Sequence, residues 1–330
     1  MPLLDDEFNR AGERSSKEKL TSWETLRSVD REPGNPDRRA PGLSRPAPQR
    51  GSRGVFSGLV STCSNPGCDS GWLQIWRSRS GPFFEGGWGC SARCIAANIE
   101  AAVRRETKAK RIDSTPHRHR LPLGLVMLEQ GWITSEQLRK ALDAQRAAGR
   151  GRLGNWLVHE QGISEPLVTR ALGLQWSCPV LPLEHHDPAT MASLLPRLFV
   201  EAFGALPLRV AAGQILYLGF EERPDPVVVL AAERMLGLRV EAGLVHGSQF
   251  RPAFERMMSA SYPRTELVEA ASESPLVRVL TKAVERFKPA ESRLVRMHDC
   301  LWLRMWKNPR PAAAPNIADV EDVICSLAAN

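Results

Sequence analysis

The sequence predicts an α+β protein: a small zinc-ribbon-like module, an all-helical tandem-motif subdomain, a ββαβα subdomain, and a C-terminal extension of helix and hairpin. Three observations carry this. Four cysteines crowd a stretch rich in Gly, Trp and Phe; a 24-residue helical pattern is written twice in tandem; and beyond it the apolar period switches from helical to alternating. The boundaries that follow are 1–54 for an arm, 55–110 for the cysteine module and its helix, 111–176 for the doubled pattern, 177–265 for the ββαβα unit and 266–330 for the extension.

The arm, with "REPGNPDRRAPGLSRPAPQRGSRG", is too polar and too rich in Pro and Gly to offset its chain entropy, and is expected to be disordered apart from a short helix over "LTSWETLRSV". The chain as a whole is of ordinary globular composition, 42% hydrophobic and 25% charged. A net charge of +7 allows an anionic partner without demanding one. The opening "MPLLDDEFNR" is acidic and has no apolar stretch, so no secretory signal is expected, and no run approaches the ~18 apolar residues of a membrane helix. Seven cysteines, an odd number, argue against a disulfide framework and for a reducing cytoplasm.

Cys63, Cys68, Cys90 and Cys94 read C-x4-C, then 21 residues, then C-x3-C. Two close pairs a short span apart form the pattern of a structural zinc site closed by four thiolates. The span between the pairs reads as two strands and a Gly-rich turn, and Cys94 opens the helix "SARCIAANIEAAVRRETKAK". The plainer alternative is four buried free thiols. Because residues 55–100 are expected to have little core of their own, loss of the metal is expected to unfold this module alone. Cys178, Cys300 and Cys325 stand singly and read as ordinary thiols, His117 and His119 as solvated linker residues, and His185 and His186 as loop residues.

The doubled pattern runs "PLGLVMLEQGWITSEQLRKALDAQ" (122–145) and "RLGNWLVHEQGISEPLVTRALGLQ" (152–175). Both copies hold Gly at the third position, Ile at the twelfth, Ala-Leu at the twentieth and twenty-first, and Gln at the last. Each reads as a helix, a Gly break, a capped start and a second helix. Thr134 with Gln137 spells a capping box, and Ser164 caps the second copy with Pro166 in the first turn. A leucine at helical spacing is first of all core. The polar frame is not needed for burial: Arg can pair with guanine O6 and N7, Gly lets backbone N–H groups approach a phosphate, and Gln offers a donor and an acceptor. Two such half-sites suit a ligand with two purine ends and phosphates between.

In these residues the chain resembles the N-terminal domain of type II secretion and type IV pilus assembly ATPases, whose paired 24-residue motifs bind cyclic di-GMP. The resemblance runs through "LLPRLFVEAFGALPLRV" to Tyr262. It implies a ligand site of Arg120, Leu123, Gly124, Leu128, Leu138, Leu142 and Gln145 from copy one, and Arg152, Leu153, Gly154, Leu157, Leu172 and Gln175 from copy two. Arg152 with Gln175 is expected to clamp one guanine, and Gln145 with Arg120 the other. Three departures stand out. Copy one opens on Pro122 in place of Arg, the spacer "RAAGRG" has six residues where five are usual, and Gly162 falls one position late. Loss of one Arg–guanine contact is worth ~1–3 kcal/mol.

After Gln175, "ALPLRVAAGQILYLGFEE" reads as a hairpin, "DPVVVLAAERMLGL" as a helix, "RVEAGLVHG" as a strand and "SQFRPAFERMMSASY" as a helix. "SPLVRVLTKAVERF" reads as a helix and "SRLVRMHDCLWLRMW" as a hairpin, similar to the start of the next domain in these ATPases; "IADVEDVICSL" reads as a short helix. No G-x-x-x-x-G-K-[ST] loop and no Gly-Lys pair occurs, so no ATP hydrolysis is expected. The expected function is a cytoplasmic, non-enzymatic regulator or adaptor that binds cyclic di-GMP and docks on secretion or pilus machinery. Two alternatives stay open. One is an interaction module of the same fold without nucleotide, suggested by Pro122. The other is a zinc-containing nucleic-acid regulator, suggested by "RRETKAKR", "HRHR" and Trp72, Trp76 and Trp88.

Overall fold

Two short antiparallel strands, β1 (Phe83–Phe84) and β2 (Gly87–Trp88), lead into helix α1 (Ala92–Lys108). The helix starts where Ser91 Oγ accepts from the Cys94 amide, and it buries Ile95, Ile99, Ala102 and Val103 along one face. The computed structural model describes residues 63–68, 83–109, 120–184, 186–270, 272–308 and 314–327. The arm and its helix, Trp72 and Trp76, the linker histidines His117 and His119, and His185 lie outside the described residues.

The doubled pattern folds as four helices, α2 (Leu123–Glu129), α3 (Ser135–Ala148), α4 (Leu153–Gln161) and α5 (Glu165–Trp176), around a small core of Val126, Met127, Ile133, Ala141, Leu157, Ile163, Val168 and Ala171. Two short helices follow, α6 (Pro188–Met191) and α7 (Arg197–Phe203). The ββαβα order is as expected: β3 (Leu206–Ala211), β4 (Ile215–Phe220), α8 (Pro226–Leu236), β5 (Arg239–Leu244) and α9 (Gly247–Met258). The sheet order is β3-β4-β5, with β4 and β5 parallel. The chain between the two subdomains runs beside β5, where the Leu181 amide donates to Leu244 O at 2.7 Å and the Leu244 amide to Pro179 O at 2.9 Å. Gly243 permits this approach, since a Cβ there would lie 2.5 Å from the Pro179 carbonyl.

The C-terminal region holds the expected helix, α10 (Glu273–Phe287), and hairpin, β7 (Glu291–Met297) with β8 (Cys300–Trp306). It adds two strands, β6 (Arg264–Ala270) and β9 (Val320–Leu327), which complete a sheet of order β6-β9-β8-β7. The expected helix over "IADVEDVICSL" is therefore a correction: only Ile317–Asp319 turns helically, and the rest is β9. The physical reason is burial on both faces. Val323 and Cys325 join a core with α1 and α10, while Val320 and Ile324 join the core of the ββαβα unit. A strand buried on both sides loses the polar-apolar alternation that would mark it.

The same is true of β8. Leu301, Leu303 and Met305 face α1 and α10, and Trp302 and Trp306 face the opposite core. There the Trp302 ring meets Phe199 edge-on with centroids 5.3 Å apart. Among the described residues this sheet is thus a layer between two cores rather than an appendage, and α1 of the cysteine module is part of its cover. Arg304, fully buried, pairs with Asp322 through two bonds of 2.7 Å and also donates to the carbonyls of Ser193 and Leu194. Trp302 Nε1 donates to the same carboxylate at 2.7 Å. Every strong donor of the guanidinium finds an acceptor, which is the condition for a buried pair to be tolerated.

Candidate functional site

The cysteine cluster is built from three local pieces. Cys63 to Cys68 form a turn in which the Cys68 amide donates to Asn65 O at 3.1 Å and the Gly67 amide to Asn65 Oδ1 at 3.0 Å. The turn is fixed to the hairpin by the Ser64 amide on Trp88 O, 2.9 Å. Cys90 leaves the hairpin and Cys94 lies in the first turn of α1. All four Sγ atoms lie within 4.8 Å of one another, with Cys68–Cys90 at 3.5 Å and Cys90–Cys94 at 3.6 Å. Four sulfurs about 2.3 Å from a tetrahedral ion would stand roughly 3.8 Å apart, so the set fits one. Burial pushes the Cys63 thiol up to about 11. For Cys94 burial also opposes ionisation, but the Asn65 amide, 3.4 Å from Sγ, and the Ser91 hydroxyl outweigh it and hold the thiol below its ordinary value.

The cluster does not stand apart from the rest of the fold. Glu85, at the turn of the hairpin, takes both Arg105 Nη atoms at 2.8 Å, and its amide donates to Ser292 O of β7. Next to Arg105 on α1, Glu106 is fully buried and accepts from Arg105, from Arg234 of α8 and from the Arg296 amide of β7. Burial works to raise the Glu106 pKa, yet the Arg234 and Arg105 guanidiniums and that amide hold it below the usual carboxylate range. The expectation that this module unfolds by itself needs correcting, because α1 shares its core and this carboxylate with the sheet and with α8.

In the doubled motif the structure joins the frame residues crosswise. Gln175 Nε2, at the end of copy two, donates to the carbonyl of Leu121, the residue just before copy one, at 2.7 Å. Gln145 Nε2, at the end of copy one, donates to the carbonyl of Gly151, the residue just before copy two, at 2.8 Å. Each glutamine latches the other copy's start. Arg120 therefore lies with Gln175, donating to its backbone carbonyl at 3.1 Å, and Gln145 lies beside the start of copy two. The expected pairs, Arg152 with Gln175 and Arg120 with Gln145, are exchanged. Each copy's closing glutamine meets the other copy's opening, and a linear reading of the repeat does not reveal that.

Both motif glycines have a packing reason. A Cβ on Gly124 would fall 2.6 Å from Leu138 Cδ1, and one on Gly154 would fall 2.9 Å from Val168 Cγ1. Leu138 and Val168 occupy the same position of their copies. Of the candidate leucines, only Leu157 is fully buried; Leu123, Leu128, Leu138, Leu142, Leu153 and Leu172 are half-buried. Leu123, Leu128, Leu138, Leu153 and Leu172 pack against the motif core, while Leu121, Leu125 and Leu174 are exposed. Arg152 is 69% exposed and pairs with Glu222, in the loop after β4. Glu222 is a neighbour that sequence reading missed, and an isolated acid in "FEERPD" carries no signal that would find it. Trp176, one residue beyond the second copy, was missed as well. The Arg120 guanidinium lies over its ring, 4.0 Å from the centroid.

The two copies also differ at their second helices. Thr134 makes the full capping box with Gln137, at 3.2 and 2.9 Å. Ser164 occupies the cap position without a side-chain hydrogen bond, contrary to expectation. Its neighbour Glu165 turns outward instead and accepts from the Ser248 amide at the start of α9, 2.8 Å. Burial would raise the Glu165 pKa, but the bonds from Ser248 and the nearby His246 keep it low.

No family model matches this chain, and no curated protein does. Among solved structures it is similar to MshE in a structure with cdg, at 29% identity over 42% of this chain and 99% of that one, with a TM-score of 0.32. It is also similar to the N-terminal domain of XpsE in two crystal forms. Those are 19% and 21% identical, cover 41% and 40% of this chain and 92% and 91% of theirs, and give TM-scores of 0.29 and 0.23. Superpositions this loose say nothing of what the chain binds. Among the described residues no helix is long and apolar enough to cross a membrane.

Proposed function

We propose that the chain is a non-enzymatic regulator or adaptor that binds cyclic di-GMP on the doubled motif and acts on secretion- or pilus-type machinery in the cytoplasm, with one structural zinc on Cys63, Cys68, Cys90 and Cys94. The observation that supports the nucleotide reading is what the latched pair leaves exposed: the Arg152 guanidinium at one end, and Leu121, Leu125 and Leu174. Such a surface offers apolar contact for two bases and a fork for a guanine edge. The absence of a phosphate-cradling Gly-Lys loop from the sequence supports a role without ATP hydrolysis. A second reading, an interaction module without nucleotide, is favoured by the engagement of Arg120, Gln145 and Gln175 with backbone carbonyls of the chain itself.

Calorimetric titration of the full chain with cyclic di-GMP separates the two. Binding is expected, and Arg152→Ala should weaken it by ~1–3 kcal/mol with the melting temperature of the free protein nearly unchanged. No heat at saturating nucleotide would leave the interaction module standing. Metal analysis of the same protein should return about one zinc per chain. Chelation should loosen β7 along with the cysteine turn, because Glu85 and Glu106 tie the two. Folded protein without metal in this region would remove zinc from the account.

A further inference from the structure

The two ends of the latched motif pair are chemically unequal, and the inequality lies where a base would be read. At the opening of copy two, Arg152 is an exposed guanidinium. Its partner Glu222 is itself partly exposed, and an ion pair in water is worth little, so the fork is released at small cost. It can then pair with both O6 and N7 of guanine, which adenine cannot match because its exocyclic group is a donor. At the opening of copy one stands Pro122, without any side-chain donor. The nearby cation, Arg120, donates to the Gln175 carbonyl and lies over the Trp176 ring. Gln175 in turn uses its amide on Leu121 O. Both groups that could read a base edge at this end are engaged with backbone.

What this end does hold is a guanidinium–indole pair, Arg120 over Trp176, both half-buried. A guanidinium over an indole makes a broad cationic π-face, and bases stack on such faces with little regard to their edges, since every base has a π-face. We propose that one purine of the ligand stacks on the Trp176–Arg120 pair while the other is read by its edge at Arg152, so that the ligand class is a cyclic dinucleotide with one obligatory guanine and one purine of either kind. This rests on the cyclic-dinucleotide reading above and narrows it to a specificity.

The test is calorimetry of the full chain with three probes: cyclic di-GMP, the mixed 3′,3′-cyclic GMP–AMP, and cyclic di-AMP. The first two should bind within about threefold of each other, and cyclic di-AMP about ten- to hundred-fold more weakly. Pro122→Arg installs a second fork, and should make the protein prefer cyclic di-GMP over the mixed dinucleotide by about tenfold or more. Trp176→Leu, at a half-buried position outside the packed cores, should weaken cyclic di-GMP and the mixed dinucleotide alike, by about tenfold, with an unchanged melting temperature. A tenfold preference of the wild type for cyclic di-GMP over the mixed probe would overturn the stacking end alone, as would a Trp176→Leu variant that binds both normally. Failure of all three probes to bind, in wild type and Pro122→Arg alike, would overturn both this specificity and the reading beneath it.

Discussion

The two copies of the 24-residue motif agree in their packed positions and in their closing glutamines, and differ at the opening residue and at the start of the second helix. Met127 and Leu157 hold the same position and are both fully buried; so do Ala141 and Ala171. Ile133 and Ile163 match, as do Gly124 and Gly154 with the side chains that crowd them, and both glutamines close the same latch. The opening residue, the cap and the acidic residue after it do not match: Pro122 against Arg152, a full capping box against a bare Ser164, Glu136 on Lys140 against Glu165 on α9. The shared positions hold the hairpin pair together. The unshared ones tie copy two, and not copy one, to the ββαβα unit through Glu165 and Arg152.

Three substitution pairs test that division. The largest effect belongs to the core: Met127→Ala and Leu157→Ala should each cost about 2–5 kcal/mol in denaturant unfolding, and by similar amounts. A cost confined to one of them would mean that the copies do not share a core. The glycines come next, at about 1–3 kcal/mol each for Gly124→Val and Gly154→Val. Gly154→Val should be the worse, because it presses on the stiff, branched Val168, whereas Leu138 can swing its end away from residue 124. The caps are smallest. Thr134→Ala should lose about 1 kcal/mol, and Ser164→Ala only a few tenths, since its hydroxyl makes no capping bond. Equal losses would show that Ser164 caps in solution after all.

Much of this fold could be read in advance because its signals are local. Periodicity placed the four motif helices and the ββαβα unit, and C-x4-C with C-x3-C placed the sulfurs within a metal's reach. What escaped reading depends on partners distant in sequence. The strand β9 looked helical because both of its faces are buried, and only the presence of cores on either side explains Val323 beside Ile324. The frame residues themselves were legible, but their partners were not: Arg120 belongs with Gln175 because α2 packs beside α5, a fact of three dimensions. Glu222 and Trp176 carry no pattern of their own, and only proximity marks them.

The hairpin beside the cysteines is held by a bond between Glu85 and Ser292, 207 residues apart along the chain. During synthesis the four thiols emerge early and can gather an ion at once, since all lie within residues 63–94. The floor on which their helix rests, β7 to β9, comes much later in the chain, at residues 291–327. Contacts of such long separation form late and slowly, after the entropy of a large loop has been overcome. Until α10 and the β7–β8 hairpin have been made, Ile95, Ile99 and Val103 have no apolar partners outside their own module, and β9 completes that core later still. Between helix and floor the nascent chain carries an apolar helix in the open, and it is then that a chaperone would have something to hold.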